Sequence, residues 1–210
     1  MLKLYYAAGA CSLSPHIALR ESGLPFELVK VDWMNGRTLA NGEGVLADVN
    51  TKDYVPALRL DDDQVLSEGV AIVQYIADRA PDTKLAPANG TLARVRLQEW
   101  LNFISTELHK GLGPFFGKSW ATAEVKAAAF ETLTKRLAHI ERTLADGRTW
   151  LTGEDFTVAD GYLVYALRSW QLFAKGELTP NLAAYWNRLL ERPSVKAALE
   201  AEGLVTKKAA

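Results

Sequence analysis

One thiol and three imidazoles, Cys11, His16, His109 and His139, are the scarce reactive groups of this 210-residue sequence. They do not cluster at any metal-ligand spacing, so no metal site is expected. No Gly-x-x-x-x-Gly-Lys phosphate loop and no Gly-x-Ser-x-Gly elbow is present. Gly42, Gly44 and Ala47 match a dinucleotide-binding glycine pattern by spacing, but lack the strand before and the full helix after that it needs. Cys11 is therefore the first candidate for chemistry. A lone thiol cannot close an intramolecular disulfide, so it acts through reactivity, through packing, or on a partner's thiol. It lies in Gly9-Ala10-Cys11-Ser12, between an apolar run and an amphipathic one. That is a strand-to-helix turn, where free backbone N–H groups favour a thiolate or a bound anion. The alternative is burial as a small apolar filler.

The elements that position this turn can be read from periodicity. Leu2 to Tyr6 alternates as a strand, and Ser12 to Glu21 follows as a helix with Ser14 as cap, Pro15 at its first position and Gly23 as its stop. Phe26 to Val31 completes a βαβ unit, which requires a parallel pair with a right-handed crossover. Residues 32 to 52 read as a surface loop with a short helix near Gly44 to Asp48. Val55 to Leu60 and Val65-Leu66 form a hairpin across Asp61 to Gln64, making the sheet mixed. Pro56 cannot donate a ladder bond, and a cis bond there would expose the backbone of Val55. Ser67 or Glu68 opens a helix that ends before Pro81. The prediction is an α+β chain: a βαβ-ββα domain over residues 1–80, a linker over 81–89, and an all-α helical domain over 90–210. In the second half no convincing strand remains. Leu97, Leu101, Ile104 and Leu108, and again Leu133, Leu137, Ile140 and Leu144, form helical stripes suited to a bundle. Thr157 with Asp160 resembles a capping box, and Thr179-Pro180 opens a further helix.

With 24 basic against 25 acidic residues, nothing favours nucleic acid or an anionic membrane surface. No apolar run approaches the ~18 residues of a membrane span, and no signal peptide is read at Met1. A single cysteine fits a reducing, cytoplasmic compartment. The terminal Lys207-Lys208-Ala209-Ala210 has the form of a dilysine retrieval tail, which requires a membrane anchor; it is read as a frayed end.

In such a mixed sheet, Cys11, the Val55-Pro56 turn and Glu68 could converge at one edge. Val55 would offer N–H and C=O groups to an extended peptide, the helix opened by Glu68 and Gly69 would present N–H groups to a carboxylate, and Glu68 could take an ammonium. The implied ligand is a short peptide with both charges and its own thiol near Cys11. These residues carry a resemblance. Gly9-Ala10-Cys11-Ser12, Leu19-Arg20-Glu21-Ser22-Gly23, Val55-Pro56-Ala57-Leu58, Glu68-Gly69-Val70-Ala71-Ile72, Glu99-Trp100-Leu101-Asn102, Thr106-Glu107-Leu108-His109-Lys110-Gly111 and Phe156-Thr157-Val158-Ala159-Asp160, in this order, resemble a glutathione S-transferase of the bacterial beta class over nearly the whole chain.

The resemblance implies a thioredoxin-like first domain, a homodimer, glutathione as co-substrate and a small hydrophobic electrophile as second substrate. It implies Cys11 as the thiol facing the glutathione sulfur, Val55 before cis-Pro56 as partner of the cysteinyl backbone, and Glu68 with Gly69 at the γ-glutamyl end. Asn102, Thr106, Glu107, His109 and Lys110 would border the site, with His109 polarising the glutathione thiol; on α-helical spacing Asn102, Thr106 and His109 share a face. The sequence departs from the family pattern in three places. Met34-Asn35-Gly36-Arg37 stands where a loop lysine is frequent, with Arg37 as substitute for the glycyl end. Thr51, Asp53 and Tyr54 replace the usual Pro, Gly and Gln, and Gly69 replaces the Ser of other classes. Three readings follow: conjugation of glutathione to apolar electrophiles, thiol-disulfide or peroxide reduction through a Cys11 mixed disulfide, and a non-catalytic ligand-binding module with the same fold.

Overall fold

A computed structural model describes residues 1–204 of the chain. The Lys207 to Ala210 stretch, expected as a frayed end, lies outside the described residues. The chain forms two compact units, Met1–Leu85 with the segment from Arg192 onward, and Ala86–Glu191.

The first unit contains β1 (Leu2–Tyr6), α1 (Leu13–Ser22), β2 (Phe26–Asp32), β3 (Thr38–Leu39), α2 (Leu46–Val49), β4 (Ala57–Arg59), β5 (Val65–Ser67) and α3 (Gly69–Arg79). The strand order is β3-β2-β1-β4-β5. β1 runs parallel to β2 and antiparallel to β4, so the expected βαβ-ββα order and mixed sheet are present. β1 does not alternate between core and solvent. Leu2, Leu4, Tyr5 and Tyr6 are all buried, because a central strand is covered on both faces. Tyr5 packs with Val29, Val31, Leu39, Leu46, Val55 and Ala57 in one cluster, which draws the 32–52 segment onto the sheet. That segment is more than a loop: it adds the edge strand β3 and places α2 at the expected turn of helix.

At the head of α1 the structure corrects the sequence reading. The helix begins at Leu13 with Ser12 as N-cap, so Ser14 lies inside it and is buried, and Pro15 is its third residue. Ser12 spends its hydroxyl on Ala7, donating to the carbonyl and accepting from the N–H at 3.2 Å each, which ties the end of β1 to the start of α1. Gly23 stops the helix in the left-handed conformation, as expected.

The second unit is helical: α4 (Leu92–Phe103), continuing as a π turn over Ile104–His109, then α5 (Ala123–Leu144), α6 (Val158–Leu172) and α7 (Pro180–Glu191). Among the described residues it holds no strand, only a bridge between Trp150 and Gly153. Both leucine and isoleucine stripes are buried, and α6 is buried nearly all round. α7 takes its cap from a distance: the Glu141 carboxylate of α5 accepts from Asn181 N at 3.1 Å, Leu182 N at 2.9 Å and the Thr179 hydroxyl at 2.6 Å. One further helix, α8 (Pro193–Ala201), packs on α1 in the first unit, although the sequence reading grouped it with the bundle. Among the described residues no helix is long and apolar enough to cross a membrane.

Candidate active site

Cys11 sits in the turn between β1 and α1, partly exposed, with its Sγ donating to the Val55 carbonyl at 3.3 Å. Forty-four residues separate these groups, and two features join them. β4 lies beside β1 in the sheet, and the Val55-Pro56 bond just before β4 is cis. Pro56 adjoins Gly69: a Cβ at Gly69 would meet Pro56 Cγ at 3.7 Å. Cys11 thus lies against Val55, and Gly69 against Pro56, on either side of the cis bond.

Glu68 immediately precedes α3 in an uncommon backbone conformation for a non-glycine residue, φ 69° and ψ 108°. Such a conformation costs about 1 to 3 kcal/mol and persists where the surroundings enforce it. Its Oε1 accepts from Lys52 Nζ at 2.6 Å and from the Tyr54 hydroxyl at 2.5 Å. This carboxylate raises the pKa of both groups through its hydrogen bonds, favouring the charged lysine and the protonated phenol. Neither residue was singled out from the sequence as a partner of Glu68; their proximity depends on the hairpin bringing residue 68 beside the 50–54 segment. That segment is organised by buried Asn50, whose amide donates to the Tyr54 carbonyl at 2.7 Å and whose side-chain oxygen accepts from Lys52 N at 3.2 Å.

Arg37 is engaged within its own unit. It forms an ion pair with the Asp53 carboxylate, donates to the Asp53 carbonyl at 3.2 Å, and lies over the Trp33 ring at 4.6 Å. Asp53 has φ 53° where the family pattern has glycine; aspartate is among the few residues that enter this left-handed region readily. Its negative charge is matched locally by Arg37.

The second group of predicted residues lies on α4 and its π turn. Asn102, Thr106 and Lys110 are exposed, while His109 is partly buried. This corrects the α-helical face assignment: the turn closes with Lys110 N donating to the carbonyl of Ser105, five residues back, so each residue advances less around the axis. Lys110 thereby joins Asn102 and Thr106, and His109 rotates inward. Its Nδ1 meets the Tyr162 hydroxyl at 2.7 Å, and its ring packs edge-on to Tyr165 at 4.8 Å. Burial, with a smaller contribution from the Lys110 charge, lowers the His109 pKa to about 4. The imidazole is neutral at pH 7. Glu107 is tied to Arg136 Nε of α5 at 2.6 Å. Among the described residues no group of acidic, histidine or cysteine side chains could hold a metal ion.

Residues 8–79 match the family model for the glutathione S-transferase N-terminal domain, and residues 103–193 match that for the C-terminal domain. The chain belongs to the glutathione S-transferase family. It is 47% identical to the glutathione S-transferase GstA of Escherichia coli O157:H7 over 97% of this chain and all of that protein. A sphingomonad glutathione S-transferase complexed with glutathione superimposes with a TM-score of 0.87 at 44% identity, covering 97% of this chain and all of the other. The bacterial beta class glutathione S-transferase of Sphingomonas chungbukensis matches with the same score, identity and coverage. Among glutathione S-transferases, then, the chain sides with bacterial relatives of the beta class.

The glycine that stands in place of the serine of other classes is open to test. Gly69 has ordinary helical backbone, and an added Cβ makes only a normal contact with Pro56. Gly69→Ser is expected to change stability by no more than about 0.5 kcal/mol, as measured by urea denaturation. A loss above about 2 kcal/mol would show that the position requires glycine.

Proposed function

We propose that this glutathione transferase binds glutathione as an extended strand along Val55, places the γ-glutamyl end at Glu68 and Gly69, and sets the peptide's sulfur beside Cys11. The observation that carries the reading is the 3.3 Å bond from Cys11 Sγ to the Val55 carbonyl at the cis-Pro56 turn. This puts the protein's single thiol at the backbone that an extended peptide would pair with. The Lys52 and Tyr54 donors hold the Glu68 carboxylate in place for an ammonium. The Arg37-Asp53 pair supports a polar edge at the glycyl end without an uncompensated negative charge.

In this reading His109 works as a neutral donor. In the tautomer with its proton on Nε2, the Tyr162 hydroxyl donates to Nδ1 and Nε2–H is the ring's donor; its use on the glutathione sulfur rests on the family resemblance. A pKa of about 4 makes the imidazole too weak a base to keep the thiol's proton at pH 7. The roles of Asn102, Thr106, Glu107 and Lys110 at the glutathione site rest on the family resemblance, as do an apolar electrophile as second substrate, a homodimer and a cytoplasmic setting. The lone cysteine supports the last.

A second reading is favoured by the partial exposure of Cys11. Its thiolate would attack oxidised glutathione, forming a Cys11–glutathione disulfide and releasing one glutathione thiolate. One experiment separates the readings: mass analysis after incubation with oxidised glutathione, alongside conjugation of a chloronitrobenzene by wild type and Cys11→Ala. The adduct is expected on wild type alone. Conjugation retained by Cys11→Ala gives the thiol a binding role, an adduct without conjugation favours the disulfide reading, and absence of glutathione binding overturns both.

A further inference from the structure

The segment that precedes the cis bond turns its side chains two ways. Lys52 and Tyr54 both reach Glu68, at 2.6 and 2.5 Å, whereas Asp53 between them pairs with Arg37. Three consecutive residues thus serve both ends of a peptide laid along Val55. The Asp53 backbone is fixed: its φ is 53°, and its N–H donates to the Asn50 carbonyl at 2.7 Å. Arg37 is fixed as well. Its φ is 58°, its carbonyl accepts from Leu46 N at the start of α2 at 3.0 Å, and its guanidinium lies over Trp33 while donating to the Asp53 carbonyl at 3.2 Å. Asp53 lies two residues from Val55, no more than about 7 Å along the chain. A peptide whose cysteinyl backbone pairs with Val55 has its C-terminal group one residue on, within that reach.

The charges of these four side chains cancel: Arg37 and Lys52 are matched by Asp53 and Glu68. Glutathione carries one ammonium and two carboxylates. Its ammonium meets a complementary charge at Glu68, but its glycyl carboxylate meets, at Arg37, a cation already neutralised, with the Asp53 carboxylate beside it. An ion pair whose side chains are each 38% exposed contributes little to stability, so its effect falls on what binds. We infer that Asp53 is a specificity-determining residue. By occupying Arg37 it withdraws the positive charge from the glycyl end, and the site accepts γ-glutamyl-cysteinyl thiols whose C-terminal carboxylate is masked as an ester or amide as readily as glutathione itself. The inference rests on the glutathione-site reading above, and its test separates the two.

Titration calorimetry with glutathione and with its glycyl monoethyl ester reads the charge at that end. Wild type is expected to bind the two within about threefold of each other. Asp53→Asn removes the charge and keeps a residue that enters the left-handed region. It is expected to bind glutathione about tenfold tighter, the scale of one hydrogen bond to a charged group, and the ester within about twofold of wild type. Asp53→Gly, which adopts that backbone at no steric cost, is expected to do the same and carries the test if the asparagine variant does not fold. Adding Arg37→Gln to Asp53→Asn is expected to close the gap between the two ligands again. A wild type that prefers glutathione to the ester by more than about tenfold, an unchanged gap in a folded Asp53 variant, or a gap that survives Arg37→Gln would overturn the inference and leave glutathione binding intact. Failure of every variant to bind either compound would sink the glutathione reading and this inference with it.

Discussion

Asp160→Ala is expected to lower the unfolding free energy by about 4 kcal/mol, near the upper end for a single substitution. Asp160 lies in the first turn of α6 with no exposed surface. One carboxylate oxygen accepts from Leu151 N at 2.8 Å and the Tyr185 hydroxyl at 2.5 Å; the other accepts from Thr157 N at 2.8 Å and the Thr157 hydroxyl at 2.9 Å. Burial pushes its pKa up, and these four donors oppose that rise. Removing the carboxylate orphans them together, at about 1 to 3 kcal/mol for each buried donor that finds no substitute. It also unfastens α6, the most buried helix of the second unit, from the 150–157 turn and from α7. Urea denaturation with an unchanged m-value would measure the loss. A change below about 1 kcal/mol would mean that the cluster rearranges at little cost.

Acidification is expected to cost the protein about 2 to 3 kcal/mol through His109 alone. The unfolded imidazole titrates near 6.5 and the folded one at about 4. Between these values the unfolded chain takes up a proton that the folded chain refuses, so stability falls as pH drops through this window. Above pH 6.5 the effect is absent. His109→Gln removes this limb, while the remaining carboxylates still titrate in both proteins. The drop in unfolding free energy from about pH 7.5 to about pH 4.5 is therefore expected to be smaller in His109→Gln by that amount. Equal drops in the two proteins would show that the buried histidine protonates freely in the folded state.

Much of this architecture is legible in residue spacing because the information is local. The turn around Cys11, the Val55-Pro56 bend, the start of α3 at Glu68 and the stripes of α4 and α5 each follow from neighbours within a few positions. What was not legible depends on contacts distant in sequence. β3 forms because Leu39 packs with Tyr5 and Val31, and α7 is capped by a glutamate 40 residues away. Lys52 and Tyr54 reach Glu68 only once the hairpin has folded. The inward turn of His109 was missed for another reason: periodicity assumes an even advance per residue, and nothing in the six residues from Ile104 to His109 announces a π turn. Glu202 is the extreme case. Just past the end of α8, its carboxylate accepts from Gly9 N and meets His16 Nδ1, each at 2.8 Å, and a glutamate in a polar stretch gives no sign of such partners.

That α8 and Glu202 belong to the unit begun by Met1 has a consequence for biosynthesis. Residues 86–191 must leave the ribosome between the two parts of that unit. At about 5 to 20 residues per second, this imposes a delay of about 5 to 20 s. During that interval the nascent sheet and α1 exist without the Glu202 carboxylate, which in the finished fold accepts from Gly9 N two residues before Cys11. A chain stalled at residue 191 is therefore expected to expose its thiol to alkylation faster than the released protein does. Equal rates would show that the cysteine turn matures before its last fastening is translated.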